Sequence, residues 1–225
     1  DEIDFITIAT AGNAQDFGNM TNSEREIGGA ASSTRGIIFG GYSSPAFRNT
    51  IDFITIATTG NASDFGDLTV ARTGPDGCSN KTRGAMCGGS SPTYQNLIDF
   101  VTLATTGNAA DFGDLSSIRT SAGGCSNSIR GLIGGGSNPN STNAIEYFTI
   151  ATLGDYTDFG DLTQTRTILE ACSSTTRGVW GGGAPNGDVL DYVQIMSTGN
   201  AIDFGNITGR DEFGAACSNG HGGLG

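Results

Sequence analysis

Apolar and polar side chains alternate from Ile51 to Thr58, with Ile and Thr prominent, the pattern of a half-buried strand. The same string recurs as Ile3 to Thr10, Ile98 to Thr105, Ile145 to Thr152 and, loosely, Leu190 to Ser197, at spacings of 48, 47, 47 and 45 residues. Each copy is followed by a Gly-rich turn and Asp-Phe-Gly, at Asp16, Asp64, Asp111, Asp158 and Asp203, and then by a polar stretch reaching Arg25, Arg72, Arg119, Arg166 or Arg210. A small-residue segment such as Gly77-Cys78-Ser79-Asn80 comes next, then Arg83-Gly84-Ala85-Met86-Cys87-Gly88-Gly89. This predicts four strands per unit: Ile51 to Thr58, Phe65 to Val70, Thr73 to Ser79 and Gly84 to Cys87. Apolar residues at helical spacing never persist beyond a turn. Four short strands at this period point to the blade of a β-propeller.

The order Gly88-Gly89, Asn96-Leu97-Ile98-Asp99-Phe100, Phe112-Gly113-Asp114-Leu115 and Arg119 resembles a kelch repeat along the whole chain, with Phe where that family usually carries its late Trp. The resemblance implies that the inner two strands of a blade precede the outer two. The chain therefore opens on an outer pair, 1-21, and closes on an inner pair beginning at Phe213. Complete blades are expected at 22-70, 71-117, 118-164 and 165-208, and 209-225 joins 1-21 as a fifth. The expected fold is one all-β domain: a five-bladed kelch-like propeller, four strands per blade, with one blade closed by strands from both termini. Because Asp1 already lies inside a unit, the chain reads as a mature or excised piece of something longer.

The wording Thr-Gly-Asn-Ala-x-Asp-Phe-Gly-Asp-Leu-Thr, followed by Cys-Ser-x-x-x-Arg-Gly, is similar to repeats in virion structural proteins of marine bacteriophages. That likeness implies a structural or adhesion module in a fibre, tail or capsid decoration. It would assemble in a bacterial cytoplasm, act on the virion outside the cell, and partner other virion proteins or a host-surface glycan or protein. A free lectin-like propeller and an intracellular adaptor of the kelch type are the alternatives.

Composition narrows the chemistry. The 37 Gly fit many tight turns, since twelve Phe and regular apolar runs are unlike a disordered linker. A net charge of −12 disfavours nucleic acid as a partner, because neutralising phosphates needs clustered cations. No apolar run approaches the roughly 18 residues of a membrane-spanning helix. His221 is the only histidine and Lys81 the only lysine, so no catalytic triad or copper site is expected, nor a phosphate loop with its Lys. The chain is read as non-enzymatic and without a cofactor or metal.

Repeated residues are read as structural. Cys78, Cys125, Cys172 and Cys217 share one position of the unit, with Ala30 in the remaining copy. They fit small-residue packing near an axis, and Cys87 reads as another buried thiol. The pairs Asp64/Asp67, Asp111/Asp114 and Asp158/Asp161 are weighed as calcium ligands but read as turn caps and charge partners for Arg83, Arg130 or Arg177; two units carry Asn19 and Asn206 instead. The arginine series is expected to tie strands or blades together. Glycosylation sequons at Asn19, Asn61, Asn80, Asn140 and Asn206 arise easily in an Asn/Thr-rich chain. Residues free to recognise a ligand should lie in the loops that escape the repeat. Phe47-Arg48 and Tyr94-Gln95 place an aromatic face beside a polar donor, which suits a sugar ring, and Asn140 lies in the corresponding loop.

Overall fold

A computed structural model of the chain describes residues 1–185, 187–209 and 214–218. The described residues are all-β with no helix. Four antiparallel sheets, three of four strands and one of five to which Ser137–Asn138 adds the extra strand, follow one another in a β-propeller-like arrangement. Blade 1 is Gly28–Ala31, Arg35–Phe39, Thr50–Thr55 and Ser63–Asp67; blade 2 is Asp76–Ser79, Arg83–Cys87, Leu97–Thr102 and Ala110–Asp114. Blade 3 is Gly123–Ser126, Arg130–Gly134, Asn140–Thr149 and Thr157–Arg166; blade 4 is Glu170–Ser173, Arg177–Gly181, Val189–Gln194 and Ile202–Asn206. Chain order equals spatial order in every blade, and the first strands, rich in Gly, Ala, Cys and Ser, gather around a central channel.

The expected fifth blade of four strands is not what the described residues form. A two-stranded hairpin, Glu2–Phe5 with Gln15–Asn19, stands where its outer half was expected. Of the inner half, 214–218 are described and form no strand. Phe213, Arg210 and His221 lie outside the described residues.

Ile51 and Asp52, or Ile98 and Asp99, are both buried because both faces of the third strand are covered: Asp99 meets Thr69 and Arg72 on one side, while Ile98 packs with Phe112 and Ile150 on the other. The third strand keeps unbroken register with the second. A β-bulge lies on the strand after it, where Phe17, Phe65, Phe112, Phe159 or Phe204 is the extra residue opposite Ile3/Asp4, Ile51/Asp52, Ile98/Asp99, Ile145/Glu146 or Leu190/Asp191.

The strand bounds differ from the expected ones: Ile51 to Thr58 is Thr50–Thr55, and Gly84 to Cys87 begins at Arg83. The predicted strand Phe65 to Val70 is Ser63–Asp67, because Thr69 leaves the sheet to bind Asp99 of blade 2 through its N–H (3.1 Å) and hydroxyl (2.6 Å). The predicted strand Thr73 to Ser79 begins at Asp76, since Thr73 bridges Ser90 and Gly74 turns with φ 60.

Neighbouring blades share apolar cores. Phe65, Leu103 and Val101 pack with Ile37 and Ile51; Phe112 packs with Ile150 and Phe148; Phe159 packs with Ile195 and Val193. In each set a fourth-strand Phe of one blade meets side chains of the next: Val101 and Leu103, Phe148 and Ile150, or Val193 and Ile195. Trp180, fully buried, donates its indole N–H to Gly123 O at 2.9 Å, which satisfies the one polar atom of the ring.

Candidate functional site

The repeated polar residues are committed to ties between strands and blades. Arg72, Arg119 and Arg166 are buried and face Asp99, Glu146 and Asp191, the buried acids of the third strands. Arg72 Nη1 lies 2.8 Å from Asp99 Oδ2 and Arg166 Nη2 lies 2.7 Å from Asp191 Oδ2. Ser116 and Thr163 bind Glu146 and Asp191 as Thr69 binds Asp99. Removing one member of a buried pair strands the other charge, at a cost of about 3–5 kcal/mol. Burial lowers the pKa of Arg166, while the charge of Asp191 opposes that shift. The glycine pairs carry another tie: Gly89 N–H donates to Arg119 O and Gly136 N–H to Arg166 O, both at 2.9 Å. A Cβ on Gly88, at φ +63, would fall 2.6 Å from Arg119 O, so neither the backbone conformation nor the approach of the next blade leaves room for a side chain.

Blade 1 departs from this scheme. Matching Arg25 to Arg72 by sequence is off by one: Arg25 bridges Tyr42 as Thr73 bridges Ser90, so Glu24 occupies the place of Arg72. Arg25 is instead exposed (71% of its side chain) and stacks on Tyr42 at 5.1 Å. Glu24 is 7% exposed; its pKa is raised by burial first and then by the charge of Asp52, with Arg48 and a hydrogen bond from Thr50 acting in the opposite sense. Arg48 Nε stands 3.9 Å from Glu24 Oε1, and the two atoms are buried without hydrogen-bond partners. The cation missing at position 24 has moved to position 48.

The second arginine series does not pair with the Asp-Phe-Gly acids as expected. Arg35, Arg83 and Arg130 donate to the carbonyls of Leu103, Ile150 and Ile195 on the next blade, at 2.9, 3.0 and 3.1 Å. Each guanidinium also lies over the ring of its own third strand: Phe53, Phe100 or Tyr147. The turn acids cap instead: Asp111 and Asp203 accept the N–H of Gly113 and Gly205 at 3.2 and 2.9 Å. Among the described residues no group of three or more His, Cys, Asp or Glu is placed to hold a metal.

The residues singled out for recognition fall on three hairpins between the second and third strands of blades 1 to 3. Phe47 is half-buried and meets Tyr42 edge-on at 5.5 Å, so Arg25, Tyr42 and Phe47 form one stack. Arg48, beside it, is drawn to Glu24 instead of offering a free donor. Tyr94 is half-buried on the equivalent hairpin, Ser90–Ser91 with Thr93–Tyr94; Gln95 Nε2 is tied to Thr93 O (2.9 Å) and Ser91 O (3.3 Å). Asn140 is exposed and pairs with Asn138 in the third hairpin. Phe47 with Arg48, and Tyr94 with Gln95, are neighbours; the three hairpins stand on separate blades.

The sequence reading missed a pit on the axis. A cavity of about 370 Å³ is lined by Glu26, Gly74, Asp76, Ser121, Ile168 and Glu170, among others. Glu26 (φ 55), Gly74 (φ 60), Ser121 (φ 55) and Ile168 (φ 58) are equivalent residues in the left-handed region, three of them without the freedom of glycine. They are held by the next blade: Gly74 N–H donates to Glu26 O and Ile168 N–H to Ser121 O, both at 2.8 Å. The Asp76 carboxyl is pushed well above the usual carboxylate range, by burial and then by the charges of Glu170 and Cys87. The available signal was a position that varies from unit to unit directly after one that is Thr in three of four units.

Beyond the pit, a channel of about 160 Å³ is lined by the inner strands and by Ala216, Cys217 and Ser218. Ser126 Oγ donates to Ser79 O (2.8 Å), Ser173 Oγ to Ser126 O (2.7 Å) and Ser218 Oγ to Ser173 O (2.7 Å), a ladder running from blade to blade. All five cysteines are free thiols. Burial pushes Cys78, Cys125 and Cys172 upward, which keeps them protonated and poorly nucleophilic.

No known protein family matches the chain, and no curated protein does. What the geometry offers is therefore a scaffold: repeated polar groups consumed in ties, a narrow axial pit, and unrepeated aromatic and amide groups on the hairpins.

Proposed function

We propose that the protein is a non-enzymatic structural and adhesion module of a bacteriophage virion, in a fibre, tail or capsid decoration, displaying its hairpins to a host-surface glycan or protein. Within that proposal the ring is a five-bladed propeller of the kelch type. Its fifth blade joins the Glu2–Phe5 and Gln15–Asn19 hairpin to an inner half supplied by the other end of the chain. Support for closure comes from Ser218, which continues the serine ladder on blade 4.

The observation that carries the functional proposal is the division of labour among polar residues. The recurring Arg, Asp and Glu side chains are spent on blade-to-blade ties. The residues that vary, Phe47, Tyr94 and Asn140, stand on hairpins of three separate blades, Phe47 beside Tyr42, on which Arg25 lies. A net charge of −12 suits a particle surface kept dispersed by repulsion.

Mass spectrometry of purified phage particles is expected to find the chain as a virion component. Labelled protein is expected to bind an array of bacterial surface polysaccharides, and Phe47→Ala with Tyr94→Ala to weaken that binding by roughly tenfold, the loss of about 1.4 kcal/mol of stacking. Absence from particles together with binding unchanged by both substitutions would overturn the proposal.

A further inference from the structure

Consecutive blades are joined at the rim by one lock, made four times. Gly60 N–H donates to Phe17 O (2.7 Å) and Ala62 N–H to Asn19 O (2.8 Å), while Asn61 Oδ1 accepts the N–H of Asn19 (3.1 Å). The same set links Gly107, Asn108 and Ala109 to Phe65 and Asp67; Gly154, Asp155 and Tyr156 to Phe112 and Asp114; and Gly199, Asn200 and Ala201 to Phe159 and Asp161. The contact is close: a Cβ on Gly113 would lie 2.6 Å from Gly154, which is why Asp-Phe-Gly keeps its glycine.

By repetition a fifth lock would join Phe204 and Asn206 of blade 4 to Gly12, Asn13 and Ala14 of the N-terminal hairpin. Among the described residues it is unmade, and a Cβ on Gly205 would meet nothing within 4 Å where one on Gly113 meets Gly154. The side chains buried at locks between complete blades are bare on both flanks. Phe204 is 52% exposed, against 3% for its counterpart Phe112, and Ile8 is 62% exposed, against 1% for Leu103. Ile6 stands exposed where Val101 is buried. Arg177 lies over Tyr192 as Arg130 lies over Tyr147, on the flank where Ile8 O would be the matching acceptor.

We infer that these flanks are two halves of one interface and that its occupant is the chain itself. Phe204 packs on Ile6, Ile8 and Ala14. Gly12 and Ala14 donate to the carbonyls of Phe204 and Asn206. Asn13 caps the Asn206 N–H, and Arg177 reaches Ile8 O. The inference rests on the five-bladed proposal. It favours the chain's own hairpin over a second copy, because that hairpin is already fixed to blade 1 by its own lock, and 214–218 to blade 4. Tethered flanks meet at an effective concentration far above that of a free molecule.

Amide hydrogen exchange on the unaltered chain tests it. Gly12 and Ala14 are expected to be protected to within roughly tenfold of Gly60 and Ala62, at every protein concentration. Free exchange at Gly12 and Ala14 would overturn the inference, and so would protection that appears only at high concentration, which would assign the flanks to a second copy. In a Cys217→Ser background, Asn13→Cys with Asn206→Cys should form an intramolecular disulfide under diamide as readily as Asn19→Cys with Asn61→Cys, which spans a formed lock. Covalent dimers, or closure of the second pair alone, would also overturn it. Deleting 214–225 reports on the inner half of the fifth blade separately. Destabilisation on deletion combined with free exchange at Gly12 rejects the rim lock and leaves the five-bladed proposal standing.

Discussion

Glu24 takes a place that three other blades give to a buried arginine, opposite Asp52, so two carboxylates face one another where a salt bridge is the rule. Arg48 offsets this from 3.9 Å without closing a hydrogen bond. The folded state therefore holds the Glu24 proton more tightly than the unfolded chain does. Stability is then lost as pH rises from the ordinary carboxylate range through the raised value, and regained on acidification. Glu24→Gln is expected to raise the melting temperature at pH 7, with the gain shrinking as pH falls toward 4, as calorimetry across that range would record. A gain that does not vary with pH would mean that packing, not charge, governs the site. Glu24 was not legible in the sequence, because Arg25 beside it invited a register one residue out and only the bridge to Tyr42 corrects it.

At the scale of strands and turns, the Asp-Phe-Gly turn sets how closely one blade approaches the next. Gly113→Ala places a side chain at φ +147 and 2.6 Å from Gly154, and is expected to cost about 1–3 kcal/mol, measured by urea denaturation. Gly205→Ala, its counterpart at φ +131 but in open space on the unmade flank of the described structure, is the contrasting substitution. The strands themselves were legible, since alternation and self-similarity point to the same segments at each recurrence. Their bulges were not: Phe65 reads as part of an unbroken strand until its neighbours Asp64 and Gly66 are seen to pair with adjacent residues Asp52 and Ile51. The hairpins holding Phe47, Tyr94 and Asn140 were legible as departures from the repeat. That Arg48 and Gln95 have partners at home depends on contacts no spacing encodes. The axial pit stayed hidden because its lining residues, Glu26, Gly74, Ser121 and Ile168, share a backbone conformation and not a chemistry.

On the scale of the whole molecule, four complete blades and a hairpin leave Ile6, Ile8, Ile202 and Phe204 uncovered. Such a surface is costly unless the ring closes over it. Deletion of 214–225 is expected to lower the melting temperature by at least about 2–4 °C, the shift that corresponds to 1 kcal/mol in a chain of this size. An unchanged melting temperature would separate that segment from the ring's stability. Repetition made the propeller-like arrangement legible, but not the blade count: the described residues form four complete blades and a hairpin where five blades were expected.

The rim locks have a consequence for heredity. They are written mostly in main-chain N–H and C=O groups, with one glycine and one Asn or Asp as the only side-chain requirements. A joint that ignores most side chains accepts any unit bearing those few letters. Gene segments of this period could be duplicated, exchanged or recombined between rings, and the hairpins carried on them traded, without redesigning the seams between neighbours.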